Sequence, residues 1–388
     1  MTDAAAPPFD AAALDALLDD ASIDVVVATS RHNVRYLLGT YSHFHRNFDA
    51  IGADRYLPAV AYRRGAPHEA FAVAAPVDRA QHEIAPPWVP EMHEGGQSAE
   101  ETAATVAGAL RARGLANATV AIEGSFAPHR FVAALQSALP GVRLSEATGP
   151  LETLRTVKRP DELALLREAA DGIVAAMAAA VADAGPGTTK RAVAERLRAE
   201  EETRGIAFDY CLTAMGTSMN RAPSEQAWRP GEVLSLDSGG ELEGYIGDLC
   251  RMAVLGAPSA QADELLAEVR AIGDAARTAI APGRLGREIG EAADERRRAS
   301  PHAAVIDVVA HGMGLVSHEP PRLDPGAPAR RAATHHDRPL EPGMVLSLEV
   351  TARAEGVGFV KLEDTVVVTP SGWEAYGDAH RDWIVVDA

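Results

Sequence analysis

Two cysteines in 388 residues cannot staple a fold: Cys211 and Cys250 exclude a disulfide framework, and such sparing use of cysteine fits a reducing compartment. No stretch approaches the about 18 consecutive uncharged apolar residues of a spanning helix, so no membrane span is expected. The amino terminus, "MTDAAAPPFDAAALDALLDD", lacks the basic start and apolar core of a secretory signal, and cytoplasm is the expected location. Basic residues are outnumbered, 37 Lys and Arg against 55 Asp and Glu, for a net charge of −18. Such a chain repels phosphate backbones, which argues against nucleic acid as a partner. What is present is ordinary globular composition, 47% apolar and 24% charged, at a length suited to two or three domains.

The first part alternates between short apolar runs and helical patterns. "LDALLDDA" reads as a helix and "IDVVVATS" as a buried strand. "AVAYRRG" and "EAFAVAAP" read as strands joined by a turn, and "ATVAIEG" as another strand. "SAEETAATVAGALRARGL" is a helix with Ser98 as its amino-terminal cap and Glu100 and Glu101 in its first turn. This alternation predicts an α/β domain over residues 1–150. A long helix then starts at Pro160, with Asp161 and Glu162 behind it, and stops before "GPG" at 185–187.

From there the chain repeats itself. "PGTTKRAVAERLRAEEETRG" starts at Pro186 and "PGRLGREIGEAADERRRAS" at Pro282, each a turn followed by a helix. Each helix is followed by a copy of Pro-Gly-x-Val-Leu-Ser-Leu, at 230–236 and 342–348. Two similar halves, roughly 186–256 and 282–370, predict an α+β domain built about an approximate two-fold axis within 151–388.

Both copies of the strand run into a carboxylate, Asp237 in the first and Glu349 in the second. The expectation is that each closes its strand and that the two face one another. Asp248 follows in "YIGDLCR" and Glu363 in "VKLEDT", and Arg251 and Lys361 are too few to neutralise all four. Ionised carboxylates in apolar surroundings are costly unless cations join them. An oxygen-rich cluster suits one or two divalent metals, and an imidazole biases the choice toward a transition metal. His311, at the end of "AVIDVVA" and the start of a Gly-x-Gly turn, can supply that imidazole, with His318 and Glu319 shortly after. Each piece alone has a plainer reading: a strand-end carboxylate caps turns, a histidine beside glycine is commonly structural, and a repeated strand can be scaffold. Cys250, two residues after Asp248, falls on the same strand face, where an oxidisable thiol beside the carboxylates would matter.

Taken together, "LDSGGELEGYIGDLCR", "HGMGLVSHEPP", "LEPGMVLSLEV" and "VKLEDTVVVT" resemble, in order, the four blocks of the pita-bread metallohydrolases, the family of methionine aminopeptidase, aminopeptidase P, prolidase and creatinase. The amino-terminal domain with "HNVRYLLGT" and the linking "LRTVKRPDELALLREAA" narrow the resemblance to the prolidase, aminopeptidase P and creatinase branch. The resemblance implies two divalent ions, manganese first with cobalt, zinc or iron open, held by Asp237, Asp248, His311, Glu349 and Glu363. In it Asp248 and Glu363 bridge the ions, Glu349 also takes up a proton, and His318 stands by the substrate. It further implies a homodimer; "SHFHRNFD" reads either as a surface loop or as a segment that brings His43, His45 or Arg46 to a partner's site.

The chain departs from the family at one point. Seventeen residues before Asp237 the family's peptidases carry a histidine, and here stands Asn220. No realignment supplies one, because histidine is absent between His129 and His302. Asparagine donates hydrogen bonds but transfers no proton. The leading expectation is a metal-dependent hydrolase of small peptides, with Xaa-Pro dipeptides as the default substrate. The alternatives are a non-peptidase of the same fold, acting on a small amide or amidine or as a lyase, and a metal-free binding module.

Overall fold

In the computed structural model of the chain, which describes residues 6–40, 52, 55–323 and 335–388, the valine run Val25–Ala28 forms β1, buried along its whole length. The chain divides into two units, Met1–Leu154 and Arg155–Ala388. In the first, β2 (Ala59–Arg63), β3 (Phe71–Ala74), β4 (Glu91–Glu94), β5 (Thr119–Ile122) and β6 (Arg143–Glu146) join β1 in the order β4-β3-β2-β1-β5-β6. β1 is antiparallel to β2 and parallel to β5, so the sheet is mixed. Helices Ala99–Ala112 and His129–Ala138 cover it through Val106, Leu110, Phe131 and Leu135. Ser98 caps the former, its hydroxyl accepting from the Glu101 amide at 3.1 Å. His43, His45 and Arg46 lie outside the described residues.

The second unit carries a nine-stranded sheet: β7 (Ala207–Met215), β8 (Val233–Leu242), β9 (Tyr245–Leu255), β10 (Ile306–Gly312), β11 (Glu319–Arg322), β12 (Val345–Ala354), β13 (Gly358–Thr369), β14 (Gly372–Tyr376) and β15 (Ile384–Val386). The main path runs β11-β10-β12-β13-β9-β8-β7, with β14 on β13 and β15 on β9. Read outward from the β13–β9 contact, β13-β12-β10 mirrors β9-β8-β7. Each trio follows two helices, Pro160–Ala182 and Lys190–Thr203 in one case and Ala260–Thr278 and Arg287–Arg298 in the other. The duplicated unit therefore includes one more helix per half than the sequence pattern suggested.

Two sequence expectations need correction. Asp237 and Glu349 do not close their strands; each is the fifth residue of a ten-residue strand that carries on beyond it. Pairing continues through Gly239 and Gly240. A Cβ on Gly239 would lie 2.4 Å from the Tyr210 ring, so glycine here is a packing requirement. Arg251 does not serve the carboxylates beside it. It points through the opposite face, donating to the carbonyls of Gly377 and Glu363 and pairing with Asp364 at 3.1 Å. That opposite face, with Leu348, Val350 and Leu362, packs on the helices through Leu265, Val269 and Ile272 to form the core.

Candidate active site

Strand register alone gathers the site. Glu349 lies directly across from Glu363, Glu363 from Cys250, and Cys250 from Asp237. Residues directly opposite share a face, as do residues two apart on one strand. Asp248 and Lys361 join that face from β9 and β13, and Ser347 joins from β12. His311 joins opposite Ser347, and Tyr210, two from Leu212, which pairs with Asp237, joins from β7. All five expected metal donors thus emerge on one side of the sheet.

There they converge. Donor atoms of Asp237, Asp248 and Glu363 lie within 4.8 Å of one another, as do those of His311, Glu349 and Glu363, and those of Asp248, His311 and His318. His311 Nε2 is 3.2 Å from Glu349 Oε1 and 3.9 Å from Glu363 Oε1. The His318 ring stacks on that of His311, with centroids 3.8 Å apart, and is exposed on its other side. The group borders a cavity of about 390 Å³ that Tyr210, Leu212, Arg221, Ser317 and His318 also line. Asn220, next in sequence to Arg221, is exposed and is not one of the residues that line the cavity. Its side chain accepts from the Ala222 amide at 3.0 Å, and its carbonyl accepts from buried Lys190 at 2.6 Å.

Charge is the dominant problem here. Lys361 Nζ lies 2.6 Å from Asp237 Oδ2, 2.7 Å from Glu349 Oε2 and 2.7 Å from Glu363 Oε2. Burial would lower its pKa, but the charges of Glu363, Asp237 and Glu349 outweigh burial and keep it an ammonium. Burial and the charges of Asp248 and Glu349 push Glu363 well above the usual carboxylate range, against the pull of Lys361. Burial and the Asp237 charge likewise raise Asp248. Burial acts upward on Glu349 too, yet the His311 hydrogen bond and the Lys361 charge hold it below the ordinary range. The same burial, with Asp237 alongside, raises the Cys250 thiol well above its usual value. A neutral, enclosed thiol is not a reactive one, so oxidation of Cys250 is not how this site would be lost.

The residues fit a pair of divalent ions. Asp248 Oδ1 is buried without a hydrogen-bond partner, which in a native site points to a bound ligand or ion. The set of four carboxylates with one or two imidazoles suits transition metals that accept oxygen donors. Three further residues serve this site that sequence reasoning missed. Tyr210 hydrogen-bonds Asp248, and burial with the charges of Asp248 and Glu363 pushes its phenol far above the usual range, so it stays a donor. Ser347 donates to Glu363 Oε1 at 2.8 Å. Arg221, next to Asn220, pairs with Asp237 Oδ2 and lies over the Phe359 ring. Ser347 was legible as a repeat residue two before Glu349; Tyr210 and Arg221 carried no such signal.

Outside the cluster, Glu319 is fully buried between Arg155 at 3.0 Å and Lys158 at 3.0 Å. The linking segment thereby anchors the turn that carries His318. His335 and His336 lie in a polar stretch of sequence yet are not fully exposed. Both are partly buried, and His335 Nδ1 accepts from the Arg322 amide at 3.2 Å. Burial, with Arg338 and Arg322 nearby, lowers the His335 pKa to about 4.

Known proteins share this fold. A family model described as metallopeptidase family M24 matches residues 164–370, and one described as the creatinase/prolidase N-terminal domain matches residues 11–157. The chain is 24% identical over 379 residues to the uncharacterized peptidase YqhT of Bacillus subtilis (strain 168), spanning 95% of this chain and 98% of that protein. It is 25% identical over 238 residues to the Xaa-Pro dipeptidase of Pyrococcus furiosus, spanning 60% of this chain and 66% of that one. Among solved structures, the Xaa-Pro dipeptidase from Bacillus anthracis superposes with a TM-score of 0.82 at 22% identity, covering 97% of this chain and 99% of that one. The X-Pro aminopeptidase from Thermotoga maritima superposes at 0.79 and 18% identity, covering 94% and 98%.

Proposed function

This chain belongs to metallopeptidase family M24, and from that premise we propose that it hydrolyses small peptides whose second residue is proline. It is a metallohydrolase with the pita-bread fold, and a hydrolase of this family depends on two metal ions. The observation that carries the substrate reading is the convergence of all five family donors on one sheet face beside a cavity of dipeptide size. The Xaa-Pro dipeptidase named above supports it as a relative.

We assign the catalytic domain to 151–388 and the amino-terminal domain to 1–150. Asp237, Asp248, His311, Glu349 and Glu363 would hold the ions, with manganese the first choice. Bound divalent ions supply an activated water and polarise the scissile carbonyl. Glu349, the carboxylate of the set least covered by protein, with 17% of its side chain exposed, receives the proton of the attacking water. His318 faces the cavity and donates to the substrate's carbonyl oxygen as charge develops on it. Tyr210 and Ser347 orient Asp248 and Glu363 through their hydroxyls. Asn220 fixes the substrate by hydrogen bonding rather than by proton transfer. A homodimer and a cytoplasmic setting complete the proposal; the two free, buried cysteines support the latter.

Asn220 favours one second reading, a non-peptidase acting on a small amide or amidine. The test is a panel assayed on manganese-loaded protein: Ala-Pro, Leu-Pro and Ala-Ala beside methylated amides and amidines. Preferential cleavage of the Xaa-Pro members supports the proposal. Turnover of an amide or amidine with no dipeptide cleaved overturns it in favour of the second reading.

A further inference from the structure

Among the described residues, two cationic side chains line the cavity, Lys361 and Arg221, and they are 4% and 30% exposed. Arg221 is therefore the one with room to meet a ligand. Its fork is only partly used. One terminal nitrogen meets Asp237 Oδ2, while Nε is buried with no hydrogen-bond partner. A buried donor left unmade is costly, which points to a partner that the site acquires. The fork is also held in place. Its central carbon lies 4.9 Å from the centroid of the buried Phe359 ring. The Arg221 carbonyl accepts from the Thr213 amide at 2.9 Å, and the Asn220 carbonyl before it accepts from Lys190 Nζ at 2.6 Å. A guanidinium with its face on a ring keeps its in-plane donors for an anion.

Charge says what that partner should be. The chain carries a net charge of −18, so an anion gains nothing from the molecule's overall field and must be read by contact. Inside the site the balance reverses once the proposed ions are counted. Metal binding requires ionised carboxylates, and two divalent ions balance the four negative charges of Asp237, Asp248, Glu349 and Glu363. Lys361 and Arg221 then remain as two uncompensated cations. A zwitterionic dipeptide such as Ala-Pro adds no net charge, because its ammonium cancels its carboxylate. A dipeptide with an acidic side chain adds one negative charge. Leu212, which also lines the cavity and is 38% exposed, offers apolar surface to the methylenes of such a side chain.

We propose that Arg221 is a specificity residue that pairs with an acidic side chain of the substrate, so that the preferred substrates are dipeptides in which glutamate or aspartate precedes proline. The proposal rests on the peptidase reading above: with proline second, only the first residue can carry the acid. Arginine matches a carboxylate with two parallel donors, and Nε with the neighbouring terminal nitrogen is one such pair. Asp237 is the counter-charge of Arg221 in the structure. Once that carboxylate serves an ion, the fork needs another.

Glu-Pro and Gln-Pro differ in charge but hardly in shape, so their kcat/KM ratio on manganese-loaded, full-length protein isolates the carboxylate. We expect Glu-Pro to be preferred by about 10–100-fold, the worth of a charge-assisted hydrogen-bonded pair, and Arg221→Leu to bring the ratio to about one. Arg221→Lys, which keeps the charge without the fork, should fall between. Metal content of each variant is measured alongside, because Arg221 touches Asp237. A wild-type ratio near one overturns the proposal whether or not the variants fold. A preference that Arg221→Leu keeps also overturns it, since the acid would then be read by the ions. The peptide's own terminus is the other source of a carboxylate. If amidating Gln-Pro costs activity in wild type but not in Arg221→Leu, the arginine reads that terminus and the acidic-residue assignment falls. If no dipeptide is cleaved, the peptidase reading itself fails. Calorimetric binding of glutamate against glutamine needs no turnover and still decides whether Arg221 holds an acidic side chain: tighter glutamate that Arg221→Leu equalises supports it, and equal affinities in wild type overturn it.

Discussion

Replacing Glu201 with glutamine should stabilise the protein at neutral pH and do nothing in acid. Glu201 sits on the inner face of the helix Lys190–Thr203, behind the strand that carries Asp237. Ser238 Oγ lies 2.8 Å from Glu201 Oε1 and 2.8 Å from the Tyr210 carbonyl. One hydroxyl proton serves only one acceptor, so both contacts are satisfied when Glu201 is protonated and donates to Ser238. Burial is the main cause that raises Glu201 to about 7 from 4.5, with the Ser238 hydrogen bond opposing and the Asp209 charge adding to it. A carboxyl whose folded pKa is raised stabilises the fold while protonated, and that contribution is lost as pH rises from about 4.5 through 7. At about 1.4 kcal/mol for each pH unit of that span, ionised Glu201 costs the fold at most roughly 3 kcal/mol above pH 7. A glutamine amide donates to Ser238 at every pH. Urea unfolding of wild type and Glu201→Gln between pH 4.5 and 8 should therefore diverge with rising pH, the variant gaining about 1–3 kcal/mol at pH 8. A difference that is constant across that range, or that favours wild type at pH 8, refutes the assignment of a protonated Glu201.

Glu319→Ala should cost roughly 3–5 kcal/mol in the same unfolding assay, since it leaves Arg155 and Lys158 buried without their counter-charge; a loss under about 1 kcal/mol would mean the anchor is dispensable. Asn220→His should raise Ala-Pro turnover, by up to about 100-fold if the imidazole recovers a transition-state hydrogen bond. Robust wild-type cleavage that this substitution abolishes would restore Asn220 as the competent group. Glu349→Gln should abolish turnover while leaving the circular dichroism spectrum unchanged, because its side chain contacts the cavity rather than the core; retained turnover would remove Glu349 from the proton-transfer role.

The duplicated halves were legible because Pro-Gly-x-Val-Leu-Ser-Leu copies both a turn and a strand parity. Once the two strands are paired, that parity also delivers Glu363, Asp248 and Lys361 to the same face. The run of the strands past Asp237 was not legible. "SGG" has turn composition, and only the Tyr210 ring and Ile206, packed against Gly239 and Gly240, explain why small residues stay in the ladder. Arg221 was hidden for a different reason. Its loop is held by tertiary bonds, Lys190 Nζ to the Asn220 carbonyl and Gln226 Nε2 to the Met215 carbonyl, which no local pattern encodes. Glu201 lay within "RAEEET", where four neighbouring charged or polar residues suggest a solvated face, and only the packing of the helix on β7, with the Ser238 hydrogen bond, reveals it as buried.

Metal dependence is the most direct test of the carboxylate–imidazole cluster. Purified protein stripped with chelator and reloaded with manganese should be assayed for Ala-Pro hydrolysis and, in parallel, for metal content per chain. We expect stripping to abolish hydrolysis, reloading to restore it, and saturation at two ions per chain. Hydrolysis that survives complete removal of metal, or a chain that binds no manganese, cobalt, zinc or iron, would contradict the assignment of Asp237, Asp248, His311, Glu349 and Glu363 as a metal centre.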